Sequence, residues 1–431
     1  MQNPVVFVHG ITAATLQDEY PLQMQELWSA ALNKDYERLY LHPDNPKWEA
    51  LQPSLVRPGS AFSICYDELI QSLRYELSPA QDQPTPVYSF VYDWRKSIVN
   101  VGAELGGFVE EVRERTKLLR HYKGWDQRVD LVGHSMGSLV ICEFLSACAG
   151  LNKGPLVGKV VTLAGPFKGS LEAVVKLLTG MGYLSGSQPS ERERELARLC
   201  AALYQLLPNF EGAISAAPGI NADLFTPGAW QPSLTQSIQE HVRLYAVDGG
   251  NDQPEQNAAK AATLLKYFLD EAKKQRTHMD QLDLAAIGMD KSRWLAVAGL
   301  GARTRVSVSI TQQNGQPWFS ILDDDYVDEW SDGHASDLTG DTTVPLLAAI
   351  PNFLARENIV GVCPSDFGLF ELKDKALDNL IGLHAQIPNM DLVQRLVIKH
   401  LRPEYTGKVW GRALPGVSKW DPPIPGLTAK T

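Results

Sequence analysis

One stretch limits what this chain can fold into more than any other: VDLVGHSMGSLVICEFL, beginning at Val129. A short apolar run meets Gly133-His134-Ser135-Met136-Gly137, which fits G-x-S-x-G, and a helix-like apolar run follows at once. A strand that turns directly into a helix holds its serine in a strained conformation. Side chains at the two flanking positions would strike neighbouring backbone, hence the glycines. The pattern alone arises by chance in loops rich in Gly and Ser. The strand before it and the helix after it are what point to a nucleophile elbow.

The rest of the chain repeats this rhythm. Residues 4–8 (PVVFV), 87–92 (VYSFVY), 129–132 (VDLV), 160–164 (VVTLA) and 295–298 (LAVA) are short apolar runs followed by turn residues. Such runs suit strands buried on both faces. Helical patterns at 100–119 and 136–149 lie between them, the second followed by Gly150 as a C-cap. Strands alternating with helices predict an α/β fold, a mostly parallel central sheet with flanking helices and right-handed crossovers.

The interval from Gly165 to Trp294 breaks the rhythm, being far longer than one crossover requires. It holds helical segments at 191–207 and 257–276 and Pro- and Gly-rich joints at 208–230 and 248–254. An insertion on the loop side of such a sheet reads as a cap over the site, with a separate spliced-in domain as the alternative. The expected organisation is a first core part over 1–166, a large helical cap over 167–293 inserted between late strands, and a second core part over 294–431.

A chain of 431 residues with 44% hydrophobic and 21% charged content is ordinary for a globular protein. Its net charge of −10 argues against nucleic acid or an anionic membrane as an electrostatically recruited partner, and is silent on uncharged lipids. Five scattered cysteines without a C-x-x-C pair form neither a disulfide framework nor a zinc site, which suggests a reducing compartment. MQNPVVFVHG enters a strand pattern too soon for a signal peptide, and no apolar run reaches membrane-spanning length. The expectation is a cytoplasmic protein, or one exported by a route that needs no classical signal.

A nucleophilic Ser135 needs an oxyanion hole, a base and an orienting acid. Met136 N–H, at a helix N-terminus, can meet a developing oxyanion. Ile11 N–H, after the first strand and His9-Gly10, is nominated as the second donor. In this fold class the acid and the base follow the serine in chain order. Among His241, His334, His384 and His400, His384 lies just before a last amphipathic helix that Asn389 or Asp391 can cap. His400 falls in the last turn of that helix, where it suits the dipole and solvent. His334 stands in an acidic loop and is expected to be exposed. Asp341, in LTGDTTVPLL, is the acid of choice, and Asp248, ending the strand-like LYAV, is the runner-up. Asp323, Asp324, Asp325, Asp328, Glu329 and Asp332 lack EF-hand spacing and read as a solvated acidic loop rather than a calcium site.

Taken together, PVVFVHGI, VYDWR (ending at Arg95), VGHSMGS, LAGPFKGS (Leu163–Ser170), LLP (Leu206–Pro208), GDTTVP (Gly340–Pro345) and the late His384 are familiar. The chain resembles the lecithin:cholesterol acyltransferase-like branch of the α/β-hydrolases, which includes lysosomal phospholipase, diacylglycerol acyltransferase and bacterial relatives. The resemblance implies a Ser135 nucleophile, an Asp341 acid, a His384 base and a capped site acting on lipid acyl esters. It also places Tyr92 and Trp94 near the acyl pocket, with a core-packing role as the bland alternative and Asp93–Arg95 as a simple ion pair. The family pattern carries glycine where this chain has Thr342.

The function expected is a serine-dependent lipid acyl-ester hydrolase, a lipase or phospholipase, with no metal or organic cofactor. The alternatives are a lipid O-acyltransferase using an alcohol acceptor, and a non-catalytic scaffold binding an apolar ligand or partner. The partner expected is a lipid or other acyl ester, not nucleic acid, and the cap could touch a membrane surface transiently.

Overall fold

The computed structural model describes residues 1–29, 34–150, 156–182, 188–321, 326–327, 339–368, 371 and 381–430. Asp323, Asp324, Asp325, Asp328, Glu329, Asp332 and His334 lie outside them.

Six short apolar runs pair into one sheet: β1 (Val5–Val8), β2 (Val87–Phe90), β3 (Val129–His134), β4 (Val157–Leu163), β5 (Trp294–Gly299) and β6 (Ile359–Val362). Their order is β6-β5-β4-β3-β1-β2, and every neighbouring pair is parallel. Parallel neighbours need crossovers, and the crossover helices cover both faces. β1, β3, β5 and β6 are accordingly buried at every position. β6 is only four residues between two 3₁₀ turns, too short for periodicity to mark it.

The chain starts inside the sheet at β1, steps outward to β2, returns past β1 to β3, and then proceeds to the far edge. The loops after β1 and β3 therefore leave in opposite senses, and a crevice opens outside the carboxyl ends of these two strands. Ser135 follows β3 and His9-Gly10-Ile11 follows β1, so the topology brings both to that crevice.

α1 (Ser63–Glu76), α2 (Ile98–Lys117) and α3 (Met136–Gly150) precede the long interval. α3 packs on β3 and β1 and against α2. A small antiparallel sheet of Ala14–Asp18, Gln25–Trp28 and Val56–Ala61 lies between β1 and α1, and sequence periodicity does not announce it.

The interval after β4 is helical: α4 (Leu171–Thr179), α5 (Glu191–Arg198), α6 (Ala201–Gln205), α7 (Pro232–Tyr245) and α8 (Pro254–Gln281). The single helix expected over 191–207 is two, because Cys200 adopts an extended conformation as the N-cap of α6. Buried Arg276 of α8 donates to the carbonyls of Phe167 and Gln205, tying α8 to the α6 C-terminus and to the loop after β4. The strand expected before Asp248 is instead the end of α7, and Asp248 pairs with Lys260 far from any site.

α9 (Asp391–Leu401) closes the fold against α1. Its N-cap is Met390 without a side-chain cap, rather than Asn389 or Asp391; the Asn389 amide donates to Ile64 O. His400 is buried, not solvent-facing, and burial drives its imidazole down to about 3. No helix among the described residues is long and apolar enough to cross a membrane. The five cysteines are free thiols, and Cys65, Cys142 and Cys200 are buried.

Candidate active site

The elbow's geometry follows from its two glycines. Ser135 has φ of 54°, a left-handed conformation forced by turning from β3 directly into α3. A Cβ on Gly133 would lie 2.7 Å from Ile141 Cδ1 and 2.9 Å from the Ser138 nitrogen. A Cβ on Gly137 would lie 2.2 Å from the carbonyl oxygen of Val8 and 2.6 Å from that of His9. No side chain fits at either position.

Three chain segments converge on the serine. Ser135 Oγ and His384 Nε2 are 2.8 Å apart, and His384 Nδ1 is 2.8 Å from Asp341 Oδ2. Asp341 Oδ1 accepts the Val344 and Thr343 N–H groups at 2.7 and 3.0 Å. The His384 N–H donates to the Asp341 carbonyl at 2.8 Å, fixing the two loops to each other. With Nδ1–H given to Asp341, Nε2 is left to accept the Ser135 hydroxyl proton. His384 sits in a helical stretch, residues 381–386, rather than in a loop. His241 is elsewhere, buried against the Leu41 carbonyl. Thr342, where the family pattern has glycine, holds φ of 84°.

The β1 loop passes beside the serine. A Cβ on Gly10 would lie 3.0 Å from Ser135 Cβ and 3.4 Å from its Oγ. Neither the Ile11 N–H nor the Met136 N–H, the latter opening α3, is taken by another group among the described residues. His9 stiffens the loop. Its Nδ1–H donates to the Gly10 carbonyl at 2.7 Å, and its Nε2 accepts the Tyr92 N–H at 3.1 Å. Burial lowers its pKa to about 4, so the ring stays neutral.

A cavity of about 170 Å³ opens from Ser135 and His384. Ile11, Ala13, Trp28, Ala173, Leu203 and Leu206 supply apolar wall, so α4 and α6 share it with the β1 loop and the small sheet. Tyr92 and Trp94, expected at the acyl pocket, stand one layer behind it. Tyr92 stacks on His9 and donates its hydroxyl to the His9 carbonyl at 2.7 Å. Trp94 is buried, donates to the Ala14 carbonyl at 3.2 Å and packs on Trp28, which does line the cavity. Both side chains are consumed by these contacts. Asp93 and Arg95 form the simpler alternative, a buried ion pair at 2.6 Å that also engages Glu49.

Two charges in this wall went unforeseen. Glu172 and Lys176, one turn apart on α4, both line the cavity. Burial raises the Glu172 carboxyl, and Arg305 Nε lies 3.5 Å away, long for a good hydrogen bond. Burial lowers the Lys176 amine, which bonds Glu193 at 2.8 Å. The available signal was the i, i+4 spacing of the two charges on an otherwise apolar helix capped by Ser170.

Comparison with known proteins bears on the family and the fold. The family pattern of lecithin:cholesterol acyltransferase matches residues 65–244. A solved structure described as the Tle4–Tli4 complex matches with a TM-score of 0.57 at 13% identity, covering 93% of this chain and 98% of that one. The Bacillus licheniformis lipase BlEst2 in mature form matches at 16% identity and TM-score 0.25 over 47% of this chain and 56% of that one. Phospholipase PlaB of Legionella pneumophila matches at 13% identity and TM-score 0.23 over 52% of this chain and 39% of that one. No curated protein sequence matches. The family match supports a lipid ester hydrolase or acyltransferase in general. The chain has the α/β-hydrolase fold, and its residues 65–244 match the lecithin:cholesterol acyltransferase family pattern, in agreement with the resemblance its motifs carry.

Proposed function

We propose that the chain is a serine-dependent lipid acyl-ester hydrolase, a lipase or phospholipase, working through an acyl-serine. The carrying observation is the unbroken line from Ser135 Oγ through His384 to Asp341, with 2.8 Å at both steps. His384 Nε2 takes the hydroxyl proton as Ser135 Oγ bonds to the ester carbonyl carbon. The oxyanion rests on the Ile11 and Met136 N–H groups, and Asp341 steadies the imidazolium. Collapse breaks the ester C–O bond, and His384 returns the proton to the departing alcohol. Water, deprotonated by His384, then releases the acid. Residues 167–293 act as a cap, with α4 and α6 walling the acyl cavity.

The family pattern favours a second acceptor, an alcohol in place of water, which makes the product a new ester. Product analysis on a mixed lipid panel, with and without a long-chain alcohol, separates lipase, phospholipase and acyltransferase. Labelling by a fluorophosphonate tests the serine itself. The wild-type protein is expected to label and Ser135→Ala is not. A folded wild-type protein that resists the probe points to the binding scaffold instead.

A further inference from the structure

Beneath Ser135 runs a line of hydrogen bonds that the acyl-transfer steps do not use. The Gly10 N–H donates to Tyr66 Oη at 3.1 Å. Tyr66 Oη lies 3.0 Å from His134 Nδ1, and His134 Nε2 lies 2.9 Å from the His384 carbonyl oxygen. Tyr66, His134 and His384 are all buried.

One arrangement of protons satisfies every member. The Gly10 amide can only donate and the His384 carbonyl can only accept. Tyr66 receives the amide proton on its oxygen and gives its own to Nδ1 of His134. His134, accepting at Nδ1, carries its single proton at Nε2, where the carbonyl waits. The other neutral tautomer would set the Nε2 lone pair against the carbonyl oxygen and leave the Tyr66 hydroxyl without an acceptor. A cationic His134 is opposed by burial and by the His384 ring, 5.0 Å away between centroids.

The two ends of this line are functionally placed. Gly10 precedes Ile11, the proposed oxyanion donor, and the far end is the main chain of the proposed base. Tyr66 belongs to α1 and packs on Phe7 of β1 at 4.7 Å between ring centroids, so the middle of the line stands on the core. The His9 bond holds the Gly10 carbonyl, in the peptide that carries the Ile11 N–H.

We infer that Tyr66 and His134 are positioning residues that hold the oxyanion loop and the base loop at a fixed separation through a one-way hydrogen-bond relay. Neither touches the reacting atoms. A neutral His134 also spares His384 a like charge next door as it takes the serine proton. This inference rests on the acyl-transfer reading for its kinetic consequence, but not for its protonation pattern.

Nitrogen NMR of ¹⁵N-histidine-labelled protein, joined to kinetics on a short chromogenic ester, is the test. In the wild-type protein His134 is expected as the Nε2–H tautomer, without titrating between about pH 5 and 8. Tyr66→Phe is expected to mix its tautomers and to lower kcat about 10- to 100-fold, with KM and melting temperature little changed. His134→Gln, which can present an oxygen to Tyr66 and an N–H to the carbonyl, should keep more activity than His134→Leu. A wild-type His134 that titrates in that range, or carries its proton on Nδ1, overturns the relay. So does a Tyr66→Phe enzyme with unchanged kcat, or with losses confined to KM and melting temperature. If wild-type Ser135 resists fluorophosphonate, the hydrolase reading fails, and the His134 tautomer still decides the relay.

Discussion

The cavity has two unlike sides. On the sheet side, Ser135, His384, Asp341, His9, Tyr66 and His134 are joined by short directional hydrogen bonds, half of them from or to main chain. On the α4 side, an apolar surface carries Glu172 and Lys176, whose partners Arg305 and Glu193 lie on other segments. Directional bonds to main chain leave a group one place to be. Contacts between long side chains leave several. On the proposed reading, the sheet side holds the reacting atoms still, whereas the α4 side leaves its charged groups more freedom.

The sharpest way to break that contrast is Ser135→Ala. It is expected to lower kcat by about 10⁶ with the fold intact, by the measure of triad knockouts elsewhere. Ester hydrolysis assays with a melting curve check both halves, and wild-type turnover in the variant would remove the sheet side from the chemistry.

Acid should unsettle the sheet side. His9 has its pKa lowered to about 4 by burial, so the folded state binds fewer protons than the unfolded state below the ordinary value of 6.5. The stability it gives is complete above pH 6.5 and is lost as pH falls toward 4, up to about 3 kcal/mol. Urea unfolding at pH 7 and pH 5 should show this fall, and His9→Asn should remove the His9 share of it while leaving the shares of buried His241 and His400.

Gly137→Ala places a methyl against the Val8 and His9 carbonyls and is expected to destabilise by about 1–3 kcal/mol, with activity falling as α3 is pushed from β1. Thr342→Gly relieves a φ of 84° and should raise stability by at most about 1 kcal/mol without changing kcat. Differential scanning calorimetry resolves both. On the α4 side, Glu172→Gln should leave a short, neutral ester untouched while changing KM for esters with polar head groups about 2- to 10-fold. A large fall in kcat on the short ester would erase the distinction between the two sides.

How far the sequence reveals each side follows the same physics. The elbow is local: one strand, two glycines and one helix lie within a single stretch, so Ser135 can be named from it. His384 is marked by the amphipathic α9 after it, and Asp341 by the stiff Val344-Pro345 exit. The structure brings all three within hydrogen-bond reach. Tyr66 is different. It lies on the buried face of α1, indistinguishable there from Leu69 or Leu73, and its partners Gly10 and His134 are remote in sequence. Nothing near it in the chain reports them. Tyr92 and Trp94 show the opposite fault, since a motif places them near the site but not on which side of its wall. Their main-chain partners, the carbonyls of His9 and Ala14, decide that. A last-turn position suggests a solvent-facing His400, but the backbones of Arg293 and Pro423, both remote from it in sequence, meet its ring.

The contact between Gly137 and the end of β1 has one more consequence. Ile11 and Met136 flank a place where two main chains meet with no side chain between them. The approach of the two main chains here is limited by backbone thickness rather than by the size of a side chain. On the proposed reading, the gauge of the oxyanion hole is thereby a main-chain dimension.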